Sequence, residues 1–548
     1  MCTAPASLCV LLFLLLPLAV ALPVQVVNNW VVSHAKQVAR RGLSVPLQRR
    51  EVGRRGHVET FLAGTIGVGD VGDTFYTVAI NVGNTTTAVN LDTGSSDLWI
   101  MSDTCQTPVC QKSTAHAYPT ESMQLTGATV NLTYGDSTTG TFASGPIVMD
   151  EVTLAGLSMP MQPLAAISNT NNMAVLNGGA GIVGLGFPSQ SSIQSQVVNA
   201  KFGRSVTANE FVSHMSSLGP LVSRMVADGM VEQPLFSVTL QRDTIDVSGT
   251  GQLTIGELPD GIDNSSLTWV PVRLYSTADG GLQAPSFASN ETYPLRWEVP
   301  IGNVYLDGKP LANSTVKPNG VTTSFVDALI DTGNSLIRGP SDVVNSILRS
   351  VSPAFARSAN AKPMLSCNTS HTLAFEIGGQ LFSVDPRDFL SQSPGGNATQ
   401  CIASSVTATD PPGFGSLFRW SLGDPFLKSN LVAFYYGNLT NPSVDPPRIG
   451  FLSMVPSNAS ALLTQAVTEA LKDGGKFEGT SMAAPTSSTV ESFGVITTST
   501  SAAPTSTTTA VDKSSSGKGS SAAMTLSRSL PALLIPVLLV SLVSSWSI

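Results

Sequence analysis

A mainly β protein, built as two pseudo-symmetric lobes around a central cleft, is the fold class that this 548-residue sequence predicts, and three observations predict it. The segments Asn90-Leu91-Asp92-Thr93-Gly94-Ser95-Ser96 and Leu329-Ile330-Asp331-Thr332-Gly333-Asn334-Ser335 repeat one another, each setting Asp-Thr-Gly after an apolar strand. From Gly64 to about residue 453, short runs such as Tyr76-Thr77-Val78-Ala79-Ile80 alternate β-branched or aromatic residues with polar ones, and glycine turns separate them. Charged residues make up only 12% of the chain, against about a quarter in ordinary soluble proteins, while Ser, Thr, Gly and Pro abound, a composition that suits a secreted β-protein.

Taken in order, the chain opens on an apolar run over residues 8–21 that ends Ala19-Val20-Ala21, the small-x-small pattern of a cleavable secretory signal (1–21). Residues 22–55 carry Arg40-Arg41, Arg49-Arg50 and Arg54-Arg55, a basic stretch in an otherwise acidic protein. It reads as a propeptide able to cover an acidic cleft, and the arginine pairs suit a dibasic-cleaving processing protease as partner. An N-terminal β lobe (56–260) and a C-terminal β lobe (261–455) follow and meet near residues 256–270. Helical apolar spacing appears only briefly, as at 221–226 and 343–348. Beyond about residue 475 the hydrophobic pattern gives way to Ser, Thr, Ala and Pro, so 456–519 is assigned to an O-glycosylated stalk. Residues 530–548 are apolar and uncharged, preceded by a spacer and by Gly519-Ser520-Ser521. That order of small residues, spacer and apolar end makes 520–548 a removable GPI-attachment signal with Gly519 as attachment residue, and two prolines, with no Lys or Arg following the apolar stretch, disfavour a membrane span.

The net charge of −8 and pI near 5.2 argue against a nucleic-acid partner. The five histidines are scattered, and neither a metal nor a cofactor is expected. Two carboxylates brought together by the repeat cannot both ionise easily and so share a proton, which makes the pair an acid and a base at once.

Residues 92–99, Asp-Thr-Gly-Ser-Ser-Asp-Leu-Trp, with Ala328-Leu329-Ile330-Asp331-Thr332-Gly333, resemble the two active-site motifs of the pepsin-like aspartic proteases. Tyr134-Gly135-Asp136, Gly181-Ile182-Val183-Gly184-Leu185-Gly186 and Trp420-Ser421-Leu422-Gly423-Asp424-Pro425-Phe426 follow in that family's order. The resemblance covers roughly residues 60–455. It implies hydrolysis of polypeptide substrates by Asp92 and Asp331 through one bound water, in a monomer. Thr93, Gly94, Thr332 and Gly333 complete the loops; Ser95 is the hydroxyl that hydrogen-bonds the first carboxylate, Tyr134 the flap residue and Trp99 its indole partner. Asn334 departs from the pattern, standing where a Ser or Thr hydroxyl is usual, although its amide can still donate a hydrogen bond. Asn90, on the strand face of Asp92, together with Gly135 and Asp136 implies a partly polar substrate pocket that accepts basic as well as hydrophobic residues before the scissile bond.

Loss of the signal leaves four cysteines and three possible connectivities; the family spacing favours Cys105–Cys110 and Cys367–Cys401. Asn-x-Ser/Thr sequons begin at Asn84, Asn131, Asn264, Asn290, Asn313, Asn368, Asn397, Asn438 and Asn458, as in a heavily glycosylated surface. Together with signal, stalk and anchor, the whole resembles the GPI-anchored, yapsin-like proteases of fungi, placed at the plasma membrane or wall. A catalytically silent relative acting as a surface binder is the alternative reading. Such a relative is expected to have lost a catalytic residue, whereas both Asp-Thr-Gly units and Tyr134 stand here.

Overall fold

The computed structural model describes residues 60–135, 140–316, 326–393, 395–409 and 418–494. The expected signal, propeptide and attachment signal, with Gly519 and Asp136, lie outside the described residues.

Each half of the chain folds around its own sheet, as alternation predicts. In the first, the strand Tyr76–Val82 turns back on Thr85–Asp92 through Gly83-Asn84, with Gly83 at φ 53°, a left-handed conformation that costs glycine no Cβ clash. The strand Tyr76–Val82 pairs with Thr141–Leu154 as well, which closes this sheet into a barrel. In the second half the strand Glu298–Leu306 lies between Leu373–Ile377 and Asp327–Ile330. A third sheet of seven strands takes Thr60–Gly67, Leu235–Thr239 and Gln252–Ile255 from the first half, with Thr268–Pro271, Asn430–Tyr435 and Arg448–Ser453 from the second. Gln252–Ile255 is the last of these strands in the first half of the chain and Thr268–Pro271 the first in the second. Over this sheet sit Phe187, Phe236, Trp297, Phe434 and Tyr436, with Phe236 and Phe434 stacked at 4.7 Å. Trp297 Nε1 and the Tyr436 hydroxyl both donate to the Leu185 carbonyl, at 2.9 and 2.6 Å, so the aromatic core of one lobe grips the other.

The helices Leu221–Ala227 and Ser341–Val351 match the two brief apolar spacings read in the sequence. The expected stalk interval 456–519, by contrast, begins in folded chain. Ala459–Lys472 is a helix that buries Ala459, Leu463, Ala466, Val467 and Ala470, an apolar stripe at helical spacing. Phe477 is buried beyond it, Ser481–Met482 pairs with Gly69–Val71, and Ser488–Gly494 covers the edge of Thr60–Gly67. An unpaired edge presents unsatisfied backbone groups, and a polar Ser/Thr-rich strand satisfies them without needing an apolar face. The folded chain therefore reaches Gly494, and the boundary at 456 is corrected accordingly. Among the described residues no helix is long and apolar enough to cross a membrane.

Where the halves meet, an ionic cluster is buried. Arg242 donates from Nε and a terminal nitrogen to Asp388, both at 2.7 Å, and Lys428 Nζ lies 3.4 Å from both Asp73 and Asp388. Asp70, beside it, is pushed up to about 8 by burial and then by the charges of Asp73 and Asp243, with Lys428 pulling back. A carboxyl whose pKa is higher folded than unfolded binds its proton more tightly in the native state. Its stabilising effect is complete below the unfolded value near 4 and is lost as pH rises toward 8. Urea midpoints are accordingly expected to fall across that interval, and Asp70→Asn to flatten the decline; an unchanged slope in the variant would refute this origin.

Candidate active site

Two equivalent strand–loop units deliver the two aspartates. Thr85–Asp92 runs parallel to Gly181–Gly184, pairing Asp92 with Gly184, and Asp327–Ile330 runs parallel to Phe418–Leu422, pairing Ile330 with Leu422. Each strand ends in a loop whose glycine N–H turns back to its own carboxylate: Gly94 N to Asp92 Oδ1 at 2.8 Å, and Gly333 N to Asp331 Oδ1 at 3.0 Å. The loops are then tied to one another. Thr93 N donates to Thr332 Oγ1 and Thr332 N to Thr93 Oγ1, each at 3.0 Å. The two hydroxyls donate onward to Ile330 and Leu91 carbonyls at 2.8 Å. Buried backbone and hydroxyl groups are thereby satisfied reciprocally, and the carboxylates cannot shift independently.

Both glycines are required by the approach of the opposite half. A Cβ on Gly94 would collide with the Asp331 carboxylate, and one on Gly333 with that of Asp92. The two acids therefore face one another across the junction, as the repeat predicts. Burial is the main cause that raises Asp92 above the usual carboxylate range, opposed by hydrogen bonds from Ser95 and Gly94. Asp331 is raised first by burial and then by the charge of Asp92, with Gly333 N–H and the Arg338 guanidinium pulling it down. Such a pair titrates as a unit and holds one proton between its two members.

Ser95 Oγ donates to Asp92 Oδ2 at 2.5 Å, the role expected of it. Asn90 is buried two residues before Asp92 on the same strand face. Tyr134 ends the strand Gln124–Tyr134 and pairs with Thr141 of the antiparallel strand Thr141–Leu154, and Gly135 follows it, exposed, at φ 85°. Burial and then the charges of Asp97 and Asp92 hold the Tyr134 hydroxyl neutral, well above its ordinary pKa. The Trp99 ring lies 6.4 Å from that of Tyr134. Trp99 and Ser95 both act on the Tyr134 hydroxyl as hydrogen-bonding side chains that pull its pKa down against burial, the Trp99 Nε1 standing just beyond tight hydrogen-bond reach. Asn334 donates through its amide, as expected, but away from the aspartate. Its amide donates to Ser421 Oγ at 2.8 Å, leaving Asp331 to other donors.

Sequence reasoning missed Ser421 and Arg338, whose parts emerge only from pairing across strands. It missed also Asp97, which accepts from Ser191 Oγ at 2.5 Å and from Ser192 N at 2.9 Å, fixing the start of the helix Ser192–Phe202 behind the first loop. Adjacency to the Asp-Thr-Gly-Ser-Ser run is the signal that could have marked it. Both favoured disulfides, Cys105–Cys110 and Cys367–Cys401, are present. None of the nine sequon asparagines is buried, with Asn264 and Asn438 half-exposed and the others exposed.

Comparison with known proteins agrees with this geometry. The family profile "Eukaryotic aspartyl protease" matches residues 75–444. The chain is similar to an aspartic protease of Phaffia rhodozyma (24% identical over 389 residues, 70% of this chain and 77% of that protein). It is similar also to cathepsin E-A of Xenopus laevis (27% over 373 residues, 67% and 76%) and to pepsin A of Suncus murinus (26% over 381 residues, 68% and 78%). With a pair of apposed aspartates on duplicated Asp-Thr-Gly loops and a profile match that spans both, the chain belongs to the eukaryotic aspartyl protease family.

Proposed function

We propose that the chain is a secreted endopeptidase held at the cell surface, which hydrolyses peptide bonds at acid pH through a water activated by Asp92 and Asp331. The observation that carries this reading is the apposition of the two carboxylates, each filling the space over the other's glycine. A polypeptide lies extended between the lobes, pairing its main chain while alternate side chains enter pockets. The ionised member of the pair takes a proton from the water as the oxygen attacks the carbonyl carbon. The protonated member gives its proton to the carbonyl oxygen, and a gem-diol forms with no covalent bond to the enzyme. As the C–N bond breaks, the pair's proton passes to the leaving amine and a gem-diol hydroxyl gives its proton back to the pair, which again holds one proton for the next cycle. Acid conditions are required because loss of the shared proton removes the acid.

Surface attachment is supported by the signal-like start, the nine unburied sequons and the uncharged apolar stretch over residues 530–548, with membrane or wall as destination. The propeptide reading rests on the arginine pairs of 22–55 and on a dibasic-cleaving protease as partner. Acceptance of Lys or Arg before the scissile bond rests on Asp136, which follows the Tyr134-Gly135 pair in the sequence, and on the polar Asn90 two residues before Asp92.

Digestion of a peptide library by the purified protein tests the reading. Cleavage at acid pH, suppressed by pepstatin and split between basic and hydrophobic residues before the cut, is the expected outcome; cleavage after hydrophobic residues alone would remove the pocket assignment, and none at all the activity. A phosphatidylinositol-specific phospholipase should release the protein from cells, whereas a mature chain still carrying residues 530–548 would exclude the anchor.

A further inference from the structure

Because the two halves repeat one construction, their active-site loops compare position by position. Asp92 stands opposite Gly184, two residues beyond Ile182. Asp331 follows Ile330, which stands opposite Leu422, so Ser421 holds in the second half the place of Ile182 in the first. Likewise Asn334 holds the place of Ser95. In the first half, then, a loop hydroxyl binds the aspartate directly, and an apolar side chain, 4% exposed, backs it. In the second half both positions have changed: the loop residue has lost its hydroxyl, and the strand behind has gained one that is 5% exposed.

The hydrogen bonds show how these changes fit together. Asn334 Oδ1 accepts from Leu336 N at 3.2 Å and from Arg338 Nε at 3.1 Å, which turns Nδ2 toward Ser421. Nδ2 donates to Ser421 Oγ at 2.8 Å. A serine oxygen that accepts there has a single proton left to give, and its acceptor is Asp331 Oδ2, at 3.5 Å. Catalytic hydrogen bonds are commonly long before substrate binds and tighten in the complex. A buried hydroxyl also needs partners, so the position is built around this bond rather than around packing.

We infer that Ser421 is the positioning residue of the second aspartate: its hydroxyl, aimed by Asn334 and through it by Arg338, performs at Asp331 the task that Ser95 performs at Asp92. A donor there holds the plane of the Asp331 carboxylate toward the water and favours its ionised form, as Arg338 does, against burial and the charge of Asp92. The inference rests on Asp92 and Asp331 being the working pair.

Its test is steady-state kinetics on one peptide with secreted full-length variants, active-site titrated with pepstatin. Ser421→Ala is expected to lower kcat about tenfold with little change in KM, the usual scale for one hydrogen bond to a reacting group. Loss of a donor to the ionised form raises the pH at which the pair loses its shared proton. The alkaline limb of kcat/KM should therefore move up by about half a unit to one unit. Ser421→Thr, which keeps the hydroxyl, should restore both readouts, and so should Asn334→Thr combined with Ser421→Ala, which returns a hydroxyl to the loop. Asn334→Ala, which frees the hydroxyl to turn away, should give a smaller shift of the same sign. Wild-type kcat and an unmoved limb in Ser421→Ala would overturn the assignment, as would a lowered kcat with no limb shift and no rescue by threonine. Retained activity in Asp331→Asn would instead sink the pair itself, so the two failures are separable.

Discussion

Asp92→Asn and Asp331→Asn are each expected to yield a folded, secreted protein whose kcat/KM is lower by about three to four orders of magnitude or more. Asparagine keeps the shape of the side chain and most of its hydrogen bonds, so Gly94 N–H, Ser95 and the Thr93–Thr332 tie retain a partner. What it cannot do is exchange a proton. With one amide in the pair there is either no base for the water or no acid for the carbonyl oxygen, and the reaction loses the shared-proton state on which both depend. Stability should not fall, and should rise where the wild type has both groups ionised, since two like charges are then no longer forced together. Kinetics on pepstatin-titrated material, with melting temperatures beside them, separate chemistry from folding. A variant within tenfold of wild type would remove Asp92 and Asp331 from the mechanism.

Asp388→Ala is expected to have the largest effect on stability, about 3–5 kcal/mol. Burial on its own would push the Asp388 carboxyl up, but Arg242 and then Lys428 overcome it and hold the group down to about 2. Asp388 also accepts from Ser429 Oγ at 2.8 Å. Removal of the carboxylate takes from Arg242 and Lys428 their shared close anion in a buried junction, leaving Asp73 to Lys428 and the weaker influence of Asp385 and Asp73 to Arg242. Arg242 and Asp73 come from the first half of the chain, Lys428 and Asp388 from the second, so the loss loosens the lobes and not one lobe alone. The sign with pH is opposite to that of Asp70. A depressed carboxyl stabilises above its unfolded pKa, and the effect is lost as pH falls toward about 2. Urea unfolding at several pH values checks both statements, and a cost under about 1 kcal/mol would show that the cluster is dispensable. Replacing Arg242 and Asp388 together by apolar residues of similar volume, which leaves the Lys428–Asp73 pair in place, should cost less than the single change, because neither member of the Arg242–Asp388 pair is then stranded.

The fold class and the catalytic pair were legible because both rest on short-range signals repeated in the chain. Asp-Thr-Gly after an apolar strand occurs twice, and period-2 alternation marks strands such as Tyr76–Val82. The helix Ala459–Lys472 was hidden by averaging: its stripe of Ala459, Leu463, Ala466, Val467 and Ala470 is readable, but it sits at the edge of a Ser/Thr/Ala-rich tract whose composition speaks for disorder. The strand Ser488–Gly494 carries no such stripe, because an edge strand is held by the backbone of Thr60–Gly67 and needs few apolar side chains. Asn334 shows a further limit. The sequence reveals that a hydroxyl is missing from the second loop, yet Ser421, nearly ninety positions on, supplies one only through the parallel pairing of Asp327–Ile330 with Phe418–Leu422. The buried ionic junction is illegible for the same reason, since Arg242, Asp388 and Lys428 are brought together by packing and not by any local pattern.

The central claim is that two aspartates sharing one proton activate water, and the initial rate of cleavage of a single peptide from about pH 2 to about pH 8 tests it most directly. The account predicts a bell-shaped kcat/KM with its maximum on the acid side, complete inhibition by pepstatin at one molecule per enzyme, and a flat trace near zero for Asp331→Asn. Cleavage that persists under pepstatin, or a profile that keeps its shape and height in Asp331→Asn, would contradict it.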